Sequence, residues 1–154
     1  MTATETHPRL APRDLKKLVP DLYPAVSAVT ASAKAAGLEP ELIELVYLRS
    51  SQINGCAYCV DMHADALRGM GVSQQKIDLA FAWEEAGIFS EREQAALAWA
   101  ETLTLIAQDH VPLAKYDAVH AVFSELEVAG LTAAIAGINV WNRIAVTYRY
   151  VPGT

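Results

Sequence analysis

The stretch Asn54-Gly55-Cys56-Ala57-Tyr58-Cys59-Val60-Asp61-Met62-His63 holds both cysteines of this 154-residue chain, three positions apart. Random placement would space two cysteines this way roughly once in 80 chains, so the spacing is itself a signal. On a helix, positions 56, 59 and 63 fall on one face. The break at Asn54-Gly55 places both sulfurs in the first turn of the helix that follows. Free backbone N–H groups and the positive end of the helix dipole there favour thiolate over thiol. His63, one turn beyond Cys59, can take or relay its proton. Such a thiolate attacks a peroxide oxygen, and a neighbouring thiol captures the sulfenic acid as a disulfide. Zinc is the competing use of Cys56, Cys59 and His63, but a structural site wants four ligands. His7, His110 and His120 are isolated from any partner at ligand spacing. No metal and no cofactor are therefore expected.

Upstream, Glu44 interrupts the apolar run Leu42-Ile43-Glu44-Leu45-Val46. A carboxyl group among apolar neighbours has its pKa raised, which suits a proton donor; on the opposite face of the helix it would simply be solvated. Glu39-Pro40-Glu41 opens the helix that carries it.

The remaining segments also read as helices. Asp14 to Val19 is short and stopped by Pro20, and Pro24 to Ala36 ends at Gly37. Cys56 to Met70 ends at Gly71, and Ser73 caps a helix running to about Glu85. Ser90…Glu93 and Ser124…Glu127 are capping boxes, opening helices to about Gln108 and Tyr148, with a shorter one over Ala114 to Phe123 between them. No segment alternates with period two between hairpin turns. The expected fold is all-α, a single-domain bundle of about six to seven helices over residues 11–150. A flexible lead over 1–10 and a tail over 151–154 flank it.

Composition narrows the function. The chain carries 12 Lys and Arg against 18 Asp and Glu, a net charge of −6. This argues against nucleic acid or an anionic membrane as partner. No signal sequence is read at the N-terminus and no run of 18 uncharged apolar residues occurs, so a cytoplasmic location is expected. With 27 alanines and 53% hydrophobic residues, the chain has apolar surface to spare, which favours a homo-oligomer. Gly130 and Gly137 in the last helix permit close backbone approach, within the core or between subunits. Trp83, Trp99 and Trp141 read as core. Asn139, Asn142 and Arg143 need polar partners, and a substrate-side role for Asn142 or Arg143 is the sharper alternative.

Glu44, Cys56-x-x-Cys59 and His63 together resemble the core motif of the AhpD-like alkylhydroperoxidases, within the carboxymuconolactone decarboxylase superfamily. Leu48 to Cys56, Ala96 to Glu101 and Asn139 to Arg143 extend the likeness over roughly residues 20–150. The resemblance implies a helical, trimeric or hexameric redox protein that reduces a small-molecule hydroperoxide and is recycled by an external dithiol or protein reductant. By position, Cys59 would attack the peroxide, Cys56 would resolve it, Glu44 would donate the proton and His63 would relay it. Tyr58 stands where the best-studied relatives have a second histidine, and a phenol titrating near 10 does not replace imidazole as a base. Members that decarboxylate a lactone generally lack the cysteine pair. A lactone enzyme with incidental cysteines, or a non-enzymatic redox-sensing or disulfide-relay module, are the alternative readings.

Overall fold

Helix α3 (Pro40–Ile53) is the element around which the others are laid. Pro40 occupies its first turn together with Glu41, a pre-set φ and a favourable charge at the dipole's positive end. Leu42, Ile43 and Val46 enter one buried cluster, and Leu45 and Leu48 enter a second. A helix apolar on two sides must lie between layers. Each of its fully buried leucines is worth about 1.5–3 kcal/mol relative to exposure.

The computed structural model describes residues 8–153, and every regular element among them is helical. The flexible lead expected over residues 1–10 falls largely on residues 1–7, which lie outside the described residues, as does Thr154 of the tail. In chain order the other helices are α1 (Pro12–Leu18), α2 (Leu22–Ala35), α4 (Ala57–Gly69), α5 (Gln74–Asp78), α6 (Trp83–Ala86), α7 (Glu91–Thr104), α8 (Ile106–Asp109), α9 (Leu113–His120) and α10 (Glu125–Tyr148). The first cluster gathers side chains of α2, α3, α7, α9 and α10, and the second joins α3 to α4, α5 and α7. No single helix among the described residues is long and apolar enough to cross a membrane.

The ten α-helices among the described residues exceed six to seven in part because two expected helices are interrupted. The segment expected to run unbroken from Ser73 to Glu85 contains a 3-10 turn over Ala80–Ala82. That tighter turn buries Ala80 and lets the Trp83 Nε1–H donate to Glu101 Oε1 at 2.8 Å. The helix expected to reach Gln108 pauses at Leu105, whose φ of −97° and ψ of 25° leave the helical region. Both capping boxes form: Ser90 and Glu93 satisfy each other's backbone N–H groups, as do Ser124 and Glu127.

Helix α2 lies along α10, and the two glycines of α10 mark the seam. A Cβ on Gly130 would sit 2.5 Å from Ala36 Cβ, and one on Gly137 would overlap Thr30 Cγ2. Both therefore serve the core of this chain. Leu131, Ala134, Ile135 and Ile138 of α10 are likewise buried within it. Of the two uses read from the sequence for this helix, core or subunit interface, these residues serve the core.

Candidate active site

The junction between α3 and α4 places the cysteines. Gly55 N donates to Gln52 O at 3.2 Å and Cys56 N donates to Ser51 O at 3.0 Å, the paired bonds of a Schellman ending. Gly55 adopts φ +66° with nothing within 4 Å of a notional Cβ, so the backbone conformation rather than space calls for glycine. Cys56 is the N-cap of α4, so the helix begins at Ala57, one residue later than the expected start at Cys56. Its Sγ accepts the Cys59 backbone N–H at 3.2 Å, the bond a serine or aspartate cap would make.

Cys56 and Cys59 are joined in a disulfide with their Cα atoms 5.3 Å apart. Each residue is 2% exposed, packed with Ala145 and against Tyr58 and Tyr150. Four residues on, His63 shares the buried face of α4. Its Nδ1 lies 2.7 Å from Glu44 Oε2. Glu44 is thus turned inward from α3, with about a fifth of its side chain still open to solvent. Where Glu44 accepts this bond, Nδ1 carries the proton and the tautomer is set. His63 Nε2 is buried and has no hydrogen-bond partner, so it is the ring nitrogen left available to a bound molecule.

A cavity of about 370 Å³ opens on Cys59 and His63. Its walls are largely aromatic: Tyr47, Tyr58, Tyr150, and Tyr23 with Trp141, whose ring centroids are 4.9 Å apart. Burial, and next the charge of Glu44, push the Tyr47 hydroxyl up to about 12. The Tyr150 hydroxyl is also raised, by burial first and then by its 3.2 Å hydrogen bond with Tyr23. Both phenols are neutral hydrogen-bonding groups rather than bases. A second cleft, of about 570 Å³, opens on Cys56, with Tyr58, Ala145 and Tyr150 forming the wall between the two.

All four residues singled out in the sequence therefore meet at one place. The aromatic lining was missed there. Trp141, read as core, lines the cavity, while Trp99 is core and bonds Thr132. Tyr47 carried a usable signal, lying one turn after Glu44 on the same helix. Asn142 is on neither cavity wall: it is 1% exposed, donates to Ser51 Oγ at 3.0 Å and accepts from Asn54 at 2.9 Å. Arg143 is exposed and bonds Asn139. Asn139 and Asn142 tie α10 to Asn54 at the end of α3 just before Cys56, whereas the bonds of Arg143 stay within α10. Among the described residues no group of three or more His, Cys, Asp or Glu side chains is placed to hold a metal ion.

An all-helical bundle with a buried Cys-x-x-Cys at a helix start and a Glu–His pair beside it defines an AhpD-like protein. The carboxymuconolactone decarboxylase family model matches residues 20–102, just over half of the chain, and the chain belongs to that family. It is 42% identical over 103 residues to the uncharacterized protein YdfG of Bacillus subtilis (strain 168), covering 67% of this chain and 70% of YdfG. Among solved structures it is similar to a protein of unknown function from Agrobacterium tumefaciens, for which an AhpD-type antioxidant-defence role has been suggested. Identity there is 39%, coverage 96% of this chain and 99% of that one, and the TM-score 0.87. The debrominase Bmp8 in its apo form has the same fold at 24% identity, with 89% of this chain and 74% of Bmp8 covered and a TM-score of 0.77.

Proposed function

We propose that this protein is a thiol-dependent peroxidase that reduces hydroperoxides through the Cys56–Cys59 pair. The observation that carries the reading is a redox-capable disulfide whose Cys59 shares a cavity with His63, itself bonded to Glu44. In the reduced state the Cys59 thiolate attacks the outer peroxide oxygen. The O–O bond breaks, Cys59 becomes a sulfenic acid, and the alcohol oxygen takes up from His63 Nε2 the proton that the Cys59 thiol gave it, while Glu44 holds Nδ1–H. The Cys56 thiol then gives up its proton and its sulfur attacks Cys59 Sγ; the sulfenic hydroxyl takes up that proton and leaves as water, closing the disulfide. One hydroperoxide and one dithiol give one alcohol, one water and one disulfide. An external dithiol or protein reductant reopens the pair.

A cytoplasmic location fits this cycle, because reduced thiols are maintained there. Leu18, Phe81, Leu113 and Leu126 are exposed in the single chain, which supports a homo-oligomer, a trimer or hexamer, in solution.

The test is hydroperoxide consumption with a dithiol reductant. Cys59→Ser abolishes it, whereas Cys56→Ser leaves a sulfenic acid that can be trapped on Cys59. Full activity in Cys59→Ser overturns the assignment, and activity surviving loss of both thiols favours the lactone reading. Because Bmp8 is a debrominase that has been seen in complex with 2,3,4-tribromopyrrole, that compound is run alongside; its turnover without hydroperoxide turnover refutes peroxidase function.

A further inference from the structure

We propose that the cleft on the Cys56 side is the entry for the reductant, and that it is built for a small thiol carrying a carboxylate. The inference rests on the disulfide cycle above and adds the electron donor's class and route. Two observations carry it.

The first is the division of space about the disulfide. Cys59 lines one cavity and Cys56 lines the other, with Tyr58, Ala145 and Tyr150 between them. Thiol–disulfide exchange is an in-line displacement, so a thiolate attacking Cys56 Sγ must approach from the side away from Cys59. The cleft lies against that cysteine. The sulfur expelled is then Cys59, which faces the cavity where His63 can return a proton to it.

The second is charge. Arg9 and Arg149 line this cleft, and among the described residues no aspartate or glutamate does, in a chain of net charge −6. Arg9 is pinned there by its backbone N–H to Tyr148 O at 2.8 Å and by its guanidinium to Thr147 O at 3.4 Å. Arg149 closes α10 in the left-handed conformation, φ 53°, at the cleft's edge. Among the described residues neither guanidinium has a carboxylate partner within 4 Å. Two arginines without a carboxylate partner, on the cleft that Cys56 also lines, fit a carboxylate on the attacking molecule, held by N–H donors. The aromatic cavity at Cys59 has no such pair.

Written out, the thiolate RS⁻ attacks Cys56 Sγ and the Cys56–Cys59 bond breaks. Cys59 leaves as thiolate and is protonated, and a mixed disulfide remains on Cys56. A second RS⁻ attacks the sulfur of the bound R group, releasing RSSR and the Cys56 thiolate. Two thiols are oxidised and one protein disulfide is reduced.

The experiment uses oxidised full-length protein with no peroxide present, so its outcome is independent of whether hydroperoxides are substrates. Reduction by 3-mercaptopropionate and by its uncharged amide, 3-mercaptopropionamide, is followed at equal thiolate concentration, reading protein thiols by alkylation and intact mass. The acid is expected to be about tenfold faster at low ionic strength, a modest steering effect for two positive charges. The advantage shrinks toward unity at high salt and in the Arg9→Gln/Arg149→Gln double variant, whose two sites are exposed. Acid-quenched intermediates carry the adduct on Cys56. Equal rates for the two probes, a preference that survives both substitutions, or an adduct on Cys59 overturns the proposal.

Discussion

The seam between α2 and α10 yields a prediction that separates steric from propensity effects. Replacing a helical glycine by alanine in open surroundings gains about 1 kcal/mol of helix propensity. Gly69, near the end of α4 with nothing within 4 Å of its notional Cβ, is such a site, and Gly69→Ala is expected to be neutral or stabilising. At Gly130 the added methyl would sit 2.5 Å from Ala36 Cβ and 3.5 Å from Ala33 Cα. Ordinary carbon contacts are about 3.5–4.0 Å, so the Ala36 contact falls short by more than about 1 Å. Neither neighbour can rotate away, so the helices themselves must part. Overpacking of this kind costs about 1–3 kcal/mol, enough to exceed the propensity gain. At Gly137 the obstacle is Thr30 Cγ2, a side-chain methyl. Thr30 can turn only by disturbing the bond from its hydroxyl to Ser27 O, 3.0 Å long. Gly137→Ala is therefore expected to be milder than Gly130→Ala, and adding Thr30→Ser, which deletes that methyl, should restore its stability. Urea unfolding of the oxidised protein at fixed concentration reads all four variants. A Gly130→Ala protein as stable as the parent, or a Thr30→Ser change that fails to rescue Gly137→Ala, would refute the argument.

Glu44→Gln removes the acid that backs His63 and is expected to slow hydroperoxide turnover by about 100-fold, the usual scale of general acid–base catalysis. Chemical oxidation of the cysteine pair by a diazene oxidant should proceed as before; unchanged turnover contradicts the relay. Asn142→Ala leaves Asn54 and Ser51 without their buried partner. The expected loss is about 1–3 kcal/mol, seen as a lower melting temperature; a parental melt counts against the structural role. Arg92 is bonded to Glu39 and Glu127. The Arg92 side chain holds the Glu39 carboxyl below 4.5, and the Ser124 N–H, followed by Arg92, does the same for Glu127. Lowered acid pKa values contribute stability above pH 4.5 that is lost as pH falls through the folded values. Arg92→Gln should therefore flatten the decline in stability below that pH, measured by denaturant titration across the acid range.

What could be read from the chain follows from how local each determinant is. The Ser–Glu capping boxes, the Gly55 turn and the Cys56–Cys59–His63 face all depend on residues within two helical turns, and all are found. Glu44 was ambiguous for a physical reason. Its neighbours showed an apolar helix but not that α3 is covered on both sides, which turns the carboxylate toward His63, 19 residues away. The cavity wall was less accessible still. Tyr23, Trp141 and Tyr150 converge from α2, α10 and the segment after it, and their spacing is that of ordinary core. The break after Asp78 depends on Trp83 reaching Glu101 of α7, a tertiary bond that outweighs the continuous helical pattern.

The Cys56 cap bears on signalling as opposed to turnover. Its sulfur holds the start of α4 by accepting the Cys59 N–H while bound in the disulfide. As a thiolate the same atom is a stronger acceptor for the same donor. Opening the pair thus leaves that acceptor in place for the first turn of the helix. A messenger must look different in its two oxidation states, whereas a catalyst gains from returning to the same geometry each cycle. A cap bond that the same sulfur can make in both oxidation states is a feature of the second kind.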